Sequence, residues 1–363
     1  VLMAAMTMCL FSQPAYSKDA FDKGEEAVYM FFALSGFLII RLIYLAKQRN
    51  AFSIKKFYIR RILRIFPLYY LVLFFGFTFY NYLLPKMGIP YVVDYDLTDG
   101  LLMTIFFLPN VFTEMYDAGA ILEVLWSLGI EEQFYLLIAP LAFFIKKGWF
   151  LKVLIALTTV YFVIYHLDII WFLQDFYFEY YFLFFGGIIS ILEEKKRLEF
   201  LKTSKWIPLV ITVLVLMYYS TNLLKFESLT LSNLTACVLL SLFVHTISYN
   251  NLGVTIRNKY LNYFGQISYG IYMYHVIMLN AVLFLFLKVD VLTSFNDIVV
   301  IVLINLMTFA FTILISHFSK IKGYIDRYMK NSFCGQISFF TVFDEMDIKL
   351  ILLSMALRSQ RKK

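Results

Sequence analysis

Two adjacent carboxylates, Glu131 and Glu132, interrupt an otherwise apolar run, LWSLGIEEQFYLLIAPLAFFI. An acidic side chain inside a membrane helix costs about 2.5–3.5 kcal/mol on insertion scales and marks a functional position unless a partner neutralises it. Ser127, Glu131 and Tyr135 recur every fourth residue and share one helical stripe, while Glu132 lies about 100° round the helix. This puts Glu131 in the place of a general base, or of the group that orients one. The competing reading is a structural glutamate paired with an arginine of another helix. The geometry also lets one glutamate face the protein interior and the other a different partner.

Three further segments carry groups capable of chemistry. In FYIRRILRIFPLYY, Arg61 and Arg64 are three apart and Arg60 and Arg64 four apart, so they can share a face. The planar guanidinium suits phosphate and carboxylate, so the three could hold the phosphates of a nucleotide-type donor. They could equally be the basic flank that a membrane helix often carries on its inner side. In QISYGIYMYHVIML, Ser268, Tyr272 and His275 form another stripe. A histidine within a span is a candidate proton carrier or a hydrogen-bonded packing residue. In FFALSGFLIIRL, Ser35 and Gly36 allow a kink or close backbone approach.

The elements that must position these groups are membrane helices. The chain has 363 residues, 61% hydrophobic and 20% aromatic, and only 16% charged. A soluble domain is roughly a quarter charged. Apolar runs of spanning character occur at 28–46, 62–84, 121–145, 150–166, 179–192, 206–224, 231–247, 267–287 and 298–318. The net charge of +7 falls in alternate loops: Lys47 to Arg61, Lys146–Lys147, Lys195 to Lys205, Arg257–Lys259 and Lys320 to Lys330. These loops are expected on the cytoplasmic side, and the acidic stretches 13–27 and 85–99 outside. The alternation closes only if the short run 100–112, with Pro109, fails to cross, so 85–120 is expected to be an external segment with a re-entrant or interfacial hairpin.

The expected fold is therefore an all-α polytopic bundle of about ten transmembrane helices, both termini cytoplasmic. Residues 1–330 form the transmembrane domain and 331–363 a short tail. Residues 1–17 read as a clipped first span rather than a signal peptide, because no basic segment leads them. Cys9, Cys237 and Cys334 have neither metal-ligand nor disulfide-framework spacing, and no metal site is expected. Nucleic acid is excluded as a partner, because the basic residues sit in short loops between apolar runs and not on one soluble face.

In order and spacing, these segments resemble the membrane-bound acyltransferase 3 family. The matching residues are Phe31–Ile39 (FFALSGFLI), Arg61, Arg64, Ile65 and Pro67, then Trp126, Ser127, Leu128, Glu131, Glu132, Gln133, Phe134 and Tyr135, and finally Ser268, Tyr269, Tyr272 and His275. The resemblance implies an O-acyltransferase of a bacterial inner or plasma membrane. It would move an acyl group, acetyl in particular, from a cytoplasmic acyl-CoA co-substrate to a hydroxyl of a cell-surface or lipid-linked glycan, with no permanently bound cofactor. The site residues it implies are Glu131, His275 and Arg64 for catalysis. Arg60, Arg61, Ser35, Trp126, Ser127, Tyr135 and Tyr272 would bind donor or acceptor. The sequence departs from the family pattern in two places. The slot of the usual first-helix histidine holds Phe11-Ser12-Gln13, and Ser316 to Lys320 replaces the Glu-x-Pro-Phe phrase that often ends the last span. The first departure keeps an alternative open: a catalytically degenerate homologue, or a membrane carrier of acyl groups or glycans.

Overall fold

The computed structural model describes residues 18–88, 91–203, 206–221, 223–249, 259–288 and 297–333. Among these residues regular structure is entirely helical. The principal helices are α1 (Lys18–Gln48), α2 (Ile54–Thr78), α3 (Leu97–Ile105), α4 (Pro109–Met115), α5 (Trp126–Phe144), α6 (Phe150–His166), α7 (Tyr180–Glu194), α8 (Trp206–Ser220), α9 (Leu229–Ser248), α10 (Lys259–Lys288) and α11 (Asp297–Phe333). A π-helical turn, Phe79–Leu83, extends α2 to Lys86.

Each of the nine long apolar runs overlaps at least one helix. Five helical segments are long and apolar enough to cross a membrane: Glu26–Gln48, Ile54–Lys86, Leu229–Ser248, Lys259–Leu285 and Val302–Ser319. Phe150–His166 and Trp206–Ser220 are shorter apolar helices. The expected first span lies outside the described residues, as do 334–363 of the expected tail. Many large apolar side chains face outward, among them Phe74, Leu137, Phe144, Val160 and Leu216. Such a surface belongs in hydrocarbon rather than water.

Polar side chains fix how the helices run. Lys47 at the end of α1 donates to the Ala142 carbonyl and, at 2.7 Å, to the Ile145 carbonyl, so its ammonium caps the C-terminus of α5. Arg41 of α1 pairs with Glu194 of α7 at 2.7 Å, and His245 of α9 meets Glu193 at 2.8 Å. The C-terminal ends of α1, α5, α7 and α9 therefore lie together, which gathers Lys47, Lys146 and Lys195 at one end of the bundle. Helix α2 runs the other way, with the Tyr58 hydroxyl donating to the Leu136 carbonyl of α5 at 3.0 Å. Helix α10 lies along α2, tied by the Tyr269 hydroxyl to the Ile65 carbonyl at 3.0 Å.

The tightest crossing is that of α1 and α7. Gly36 faces the Leu183 backbone, Gly186 the Ala33 carbonyl and Gly187 the Ile40 side chain, each with no room for a Cβ. Small residues of this kind bring membrane helices to backbone contact. Phe32, Phe37, Phe134, Tyr181 and Phe182 fill the buried core around that crossing.

The segment 97–115 folds as a hairpin of two short helices, α3 and α4. At nine and seven residues they are about 14 and 10 Å long, too short to cross a bilayer. Asp96 caps α3, accepting from the Thr98 amide at 2.7 Å, and Pro109 opens α4, where a missing N–H costs nothing. The hairpin tip, where Phe107 has φ +60°, leans on α5. A Cβ on Gly129 would come within 2.6 Å of the Pro109 ring. Helix α11 runs unbroken through residue 330, so the expected start of the tail falls inside a helix.

Candidate functional site

Three helices converge on Glu131. The carboxylate is 3% exposed and accepts the Tyr135 hydroxyl at 3.1 Å from the next turn of α5. The Ser35 hydroxyl of α1 faces it, and the charges of Arg64 and Arg61 on α2 act on it. Gly36, the neighbour of Ser35, packs α1 against α7. Arg61 lies over the rings of Phe57 and Tyr135, at 5.9 and 5.8 Å, and these two rings meet edge to face at 6.3 Å. Glu131 Oε1 has no hydrogen-bond partner among the described residues. The stripe read from sequence thus holds for Glu131 and Tyr135, and arginines from another helix do stand near the carboxylate.

Glu132 is buried too, at 5% exposure. It feels Arg61 and the neighbouring carboxylate, and its charge reaches Tyr69, Tyr70 and Tyr269. The two glutamates therefore face different surroundings, Glu131 toward α1 and Glu132 toward the tyrosines of α2 and α10.

Ser127 stands one turn before Glu131. Its hydroxyl meets that of Tyr272 on α10 at 2.5 Å, and Tyr272 also donates to the Val124 carbonyl at 3.1 Å. A phenol has one proton, so with the carbonyl accepting it, Ser127 is the donor to Tyr272. His275 is 1% exposed; its Nδ1 lies 2.5 Å from the Tyr272 carbonyl. A carbonyl can only accept, so Nδ1 carries the proton and Nε2 keeps a lone pair. That Nε2 is buried and has no hydrogen-bond partner among the described residues. Ser268, the first member of the stripe, returns its hydroxyl to the Gly265 carbonyl of its own helix, and Tyr269 makes the contact with α2 instead. Trp126 packs edge-on against Phe32 of α1 at 6.0 Å. Arg60 is half-buried, and the guanidinium charges acting on Glu131 are those of Arg64 and Arg61.

A family model described as an acyltransferase domain matches residues 24–317. The chain belongs to the acyltransferase 3 family. The matched stretch contains every residue of the Glu131 group and of the Ser127–Tyr272–His275 group. An uncharacterized protein of Haemophilus influenzae is 28% identical over 254 residues, covering 61% of this chain and 99% of that protein. No solved structure matches. As a member of the acyltransferase 3 family, the chain is a membrane acyltransferase. The slot at 11–13, where the family's usual histidine would stand, lies outside the described residues. No group of histidine, cysteine and carboxylate side chains able to hold a metal occurs among the described residues.

The structure of this acyltransferase 3 protein also shows polar groups to which the sequence assigned no role. Gln133 donates to the Phe107 carbonyl at 2.6 Å and to Asn110 Oδ1 at 2.9 Å, and accepts from Tyr180 at 2.6 Å. It pins the α3–α4 hairpin beside the glutamates. Arg41 lies in the same phrase as Ser35, and an arginine within an apolar run is itself a signal. His166 donates from Nδ1 to the Phe162 carbonyl at 2.8 Å, which leaves Nε2 to accept from Asn233 at 3.2 Å.

Proposed function

We propose that this protein transfers an acyl group, acetyl in particular, from a cytoplasmic acyl-CoA to a hydroxyl of a cell-surface or lipid-linked glycan. The observation that carries the reading is the buried Glu131 carboxylate between the Tyr135 hydroxyl and the arginines of α2. A carboxylate and two guanidinium groups from facing helices supply what acyl transfer from a phosphate-bearing donor needs: a cationic hold on the phosphates and a fixed acceptor for a proton.

In this reading Arg60, Arg61 and Arg64 hold the donor phosphates at the basic end of the bundle. The acceptor hydroxyl attacks the thioester carbonyl. His275 Nε2, whose lone pair is set by the Nδ1 bond to Tyr272, takes the hydroxyl proton and passes it to the departing thiolate. Glu131 orients the acceptor hydroxyl, with Tyr135 and Ser35 holding the carboxylate. Trp126, Ser127 and Tyr272 shape the adjoining wall. Phe11-Ser12-Gln13 in the histidine slot supports a second reading, a degenerate homologue or carrier of acyl groups or glycans.

The test is transfer of labelled acetyl from acetyl-CoA to surface glycans in membranes holding the full chain. Glu131→Gln and His275→Gln are each expected to lower the rate by roughly 10²–10⁴-fold. Tyr135→Phe, which removes one hydrogen bond to a charged group, is expected to lower it by roughly tenfold. Arg64→Ala is expected to raise the KM for donor. Undiminished acetylation in Glu131→Gln overturns the assigned role. Unchanged glycan mass on deletion of the whole chain favours the carrier reading.

A further inference from the structure

A groove of about 860 Å³ opens on the flank of the bundle between α2 with its π-helical extension and α10. This is within the size range of ligand sites. Leu71, Phe75 and Met87 form one wall, Ile277 and Ala281 the other, and loop 117–121 the back. Leu71 and Met87 are themselves largely exposed, so in a membrane the groove faces the acyl chains of the bilayer. The wall from Leu71 to Met87 is about 24 Å long, the reach of an extended fatty-acyl chain.

Charge appears at one end only. Asp117 lines the groove there; its backbone carbonyl and Oδ1 accept from Tyr91 at 3.0 and 3.5 Å, and its amide donates to Asp94 Oδ2 at 3.1 Å. Asp117 Oδ2 takes part in none of these bonds. The charges of Asp117 and Glu114 also bear on Glu123, on the turn behind the loop. An anionic headgroup would meet these carboxylates with like charge, and an ammonium would meet them with opposite charge. The walls select a hydrocarbon chain and the rim selects against a purely anionic head.

We propose that this groove is a binding site for a phospholipid with an amino headgroup, of the phosphatidylethanolamine kind, its acyl chain between α2 and α10 and its ammonium at Asp117. The bound lipid ties loop 117–121 to α10.

The experiment is native mass spectrometry of the full chain, released from detergent after exchange into mixed vesicles of phosphatidylethanolamine and phosphatidylglycerol. The wild-type chain is expected to retain phosphatidylethanolamine roughly two- to fivefold over phosphatidylglycerol, the size of effect expected for a partly exposed ion pair. Asp117→Asn is expected to bring the two lipids to equal retention. Ala281→Trp, which fills the groove, is expected to remove both. Equal retention by the wild type overturns the proposal, as does loss of both lipids in the wild type because another segment of the chain fills the groove. A preference unchanged in Asp117→Asn, an exposed position whose substitution leaves the core intact, overturns it even if Ala281→Trp does not fold.

Discussion

Gly36 of α1 is pressed against the Leu183 carbonyl of α7, so that a Cβ at position 36 would overlap that oxygen. Gly186 stands in the same relation to Ala33. The obstacle at both places is backbone, which cannot rotate away as a side chain can. Gly36→Ala is expected to cost about 3 kcal/mol or more, the upper end of overpacking penalties. Thermal unfolding in detergent reads this as a large fall in Tm. Gly148→Ala, where an added Cβ meets nothing within 4 Å, is the control and should leave Tm in place.

Gln133 joins the α3–α4 hairpin, at Phe107 and Asn110, to Tyr180 of α7. Gln133→Leu keeps the apolar volume and leaves those groups without their partner. Each buried polar group so stranded costs roughly 1–3 kcal/mol. The expected outcome is faster hydrogen exchange across 97–115 while α1 and α7 keep their protection. Equal protection in the variant would mean that apolar contacts alone seat the hairpin.

These two positions mark what a single sequence can and cannot disclose. Gly36 was legible, because a small residue inside an apolar helix has few reasons to be there other than close approach. The helices were legible by the length of their apolar runs, and so was the stripe joining Glu131 to Tyr135. Gln133 was overshadowed by the two glutamates beside it, since its partners lie in a hairpin whose fold no periodicity reveals. Arg41 and Glu194 are 153 residues apart, and nothing in one sequence pairs them. On α10, nearly apolar all round, periodicity gave Ser268 and Tyr272 one face. The helix turns Tyr269, rather than Ser268, to the arginine helix, because several faces of α10 are equally able to pack.

Asp96 gives the outer segment a dependence on acid. Its carboxylate caps α3 through the Thr98 amide, and that hydrogen bond holds its pKa below the usual carboxylate value. A group whose folded pKa is depressed adds stability that is present above the unfolded pKa, near 3.9, and is lost as pH falls through the folded one. Protection of the first turn of α3 against exchange, corrected for intrinsic rate, is therefore expected to hold at neutral pH and fall below about pH 4. Asp96→Asn, which can still accept the Thr98 bond, is expected to flatten that dependence. Asp96→Ala should show the unprotected turn at every pH.

Arg41 and Glu194 form the ion pair on which the ends of α1 and α7 rest. Their side chains are 7% and 12% exposed, and Arg41 also lies 5.6 Å over the ring of Tyr249, which caps the C-terminus of α9. Removing one partner of a buried pair strands the other charge, at a cost of about 3–5 kcal/mol, whereas replacing both by apolar groups of similar volume is often neutral or better. Glu194→Leu and Arg41→Met are each expected to lower Tm sharply. The double variant Arg41→Met with Glu194→Leu is expected to recover most of the loss, and a double-mutant cycle reads the coupling directly. The adjacent pair, His245 with Glu193 at 2.8 Å, joins the same end of α7 to α9. If the double variant stays as unstable as the singles, the cost lies in lost packing of the arginine stem against Tyr249 rather than in a stranded charge.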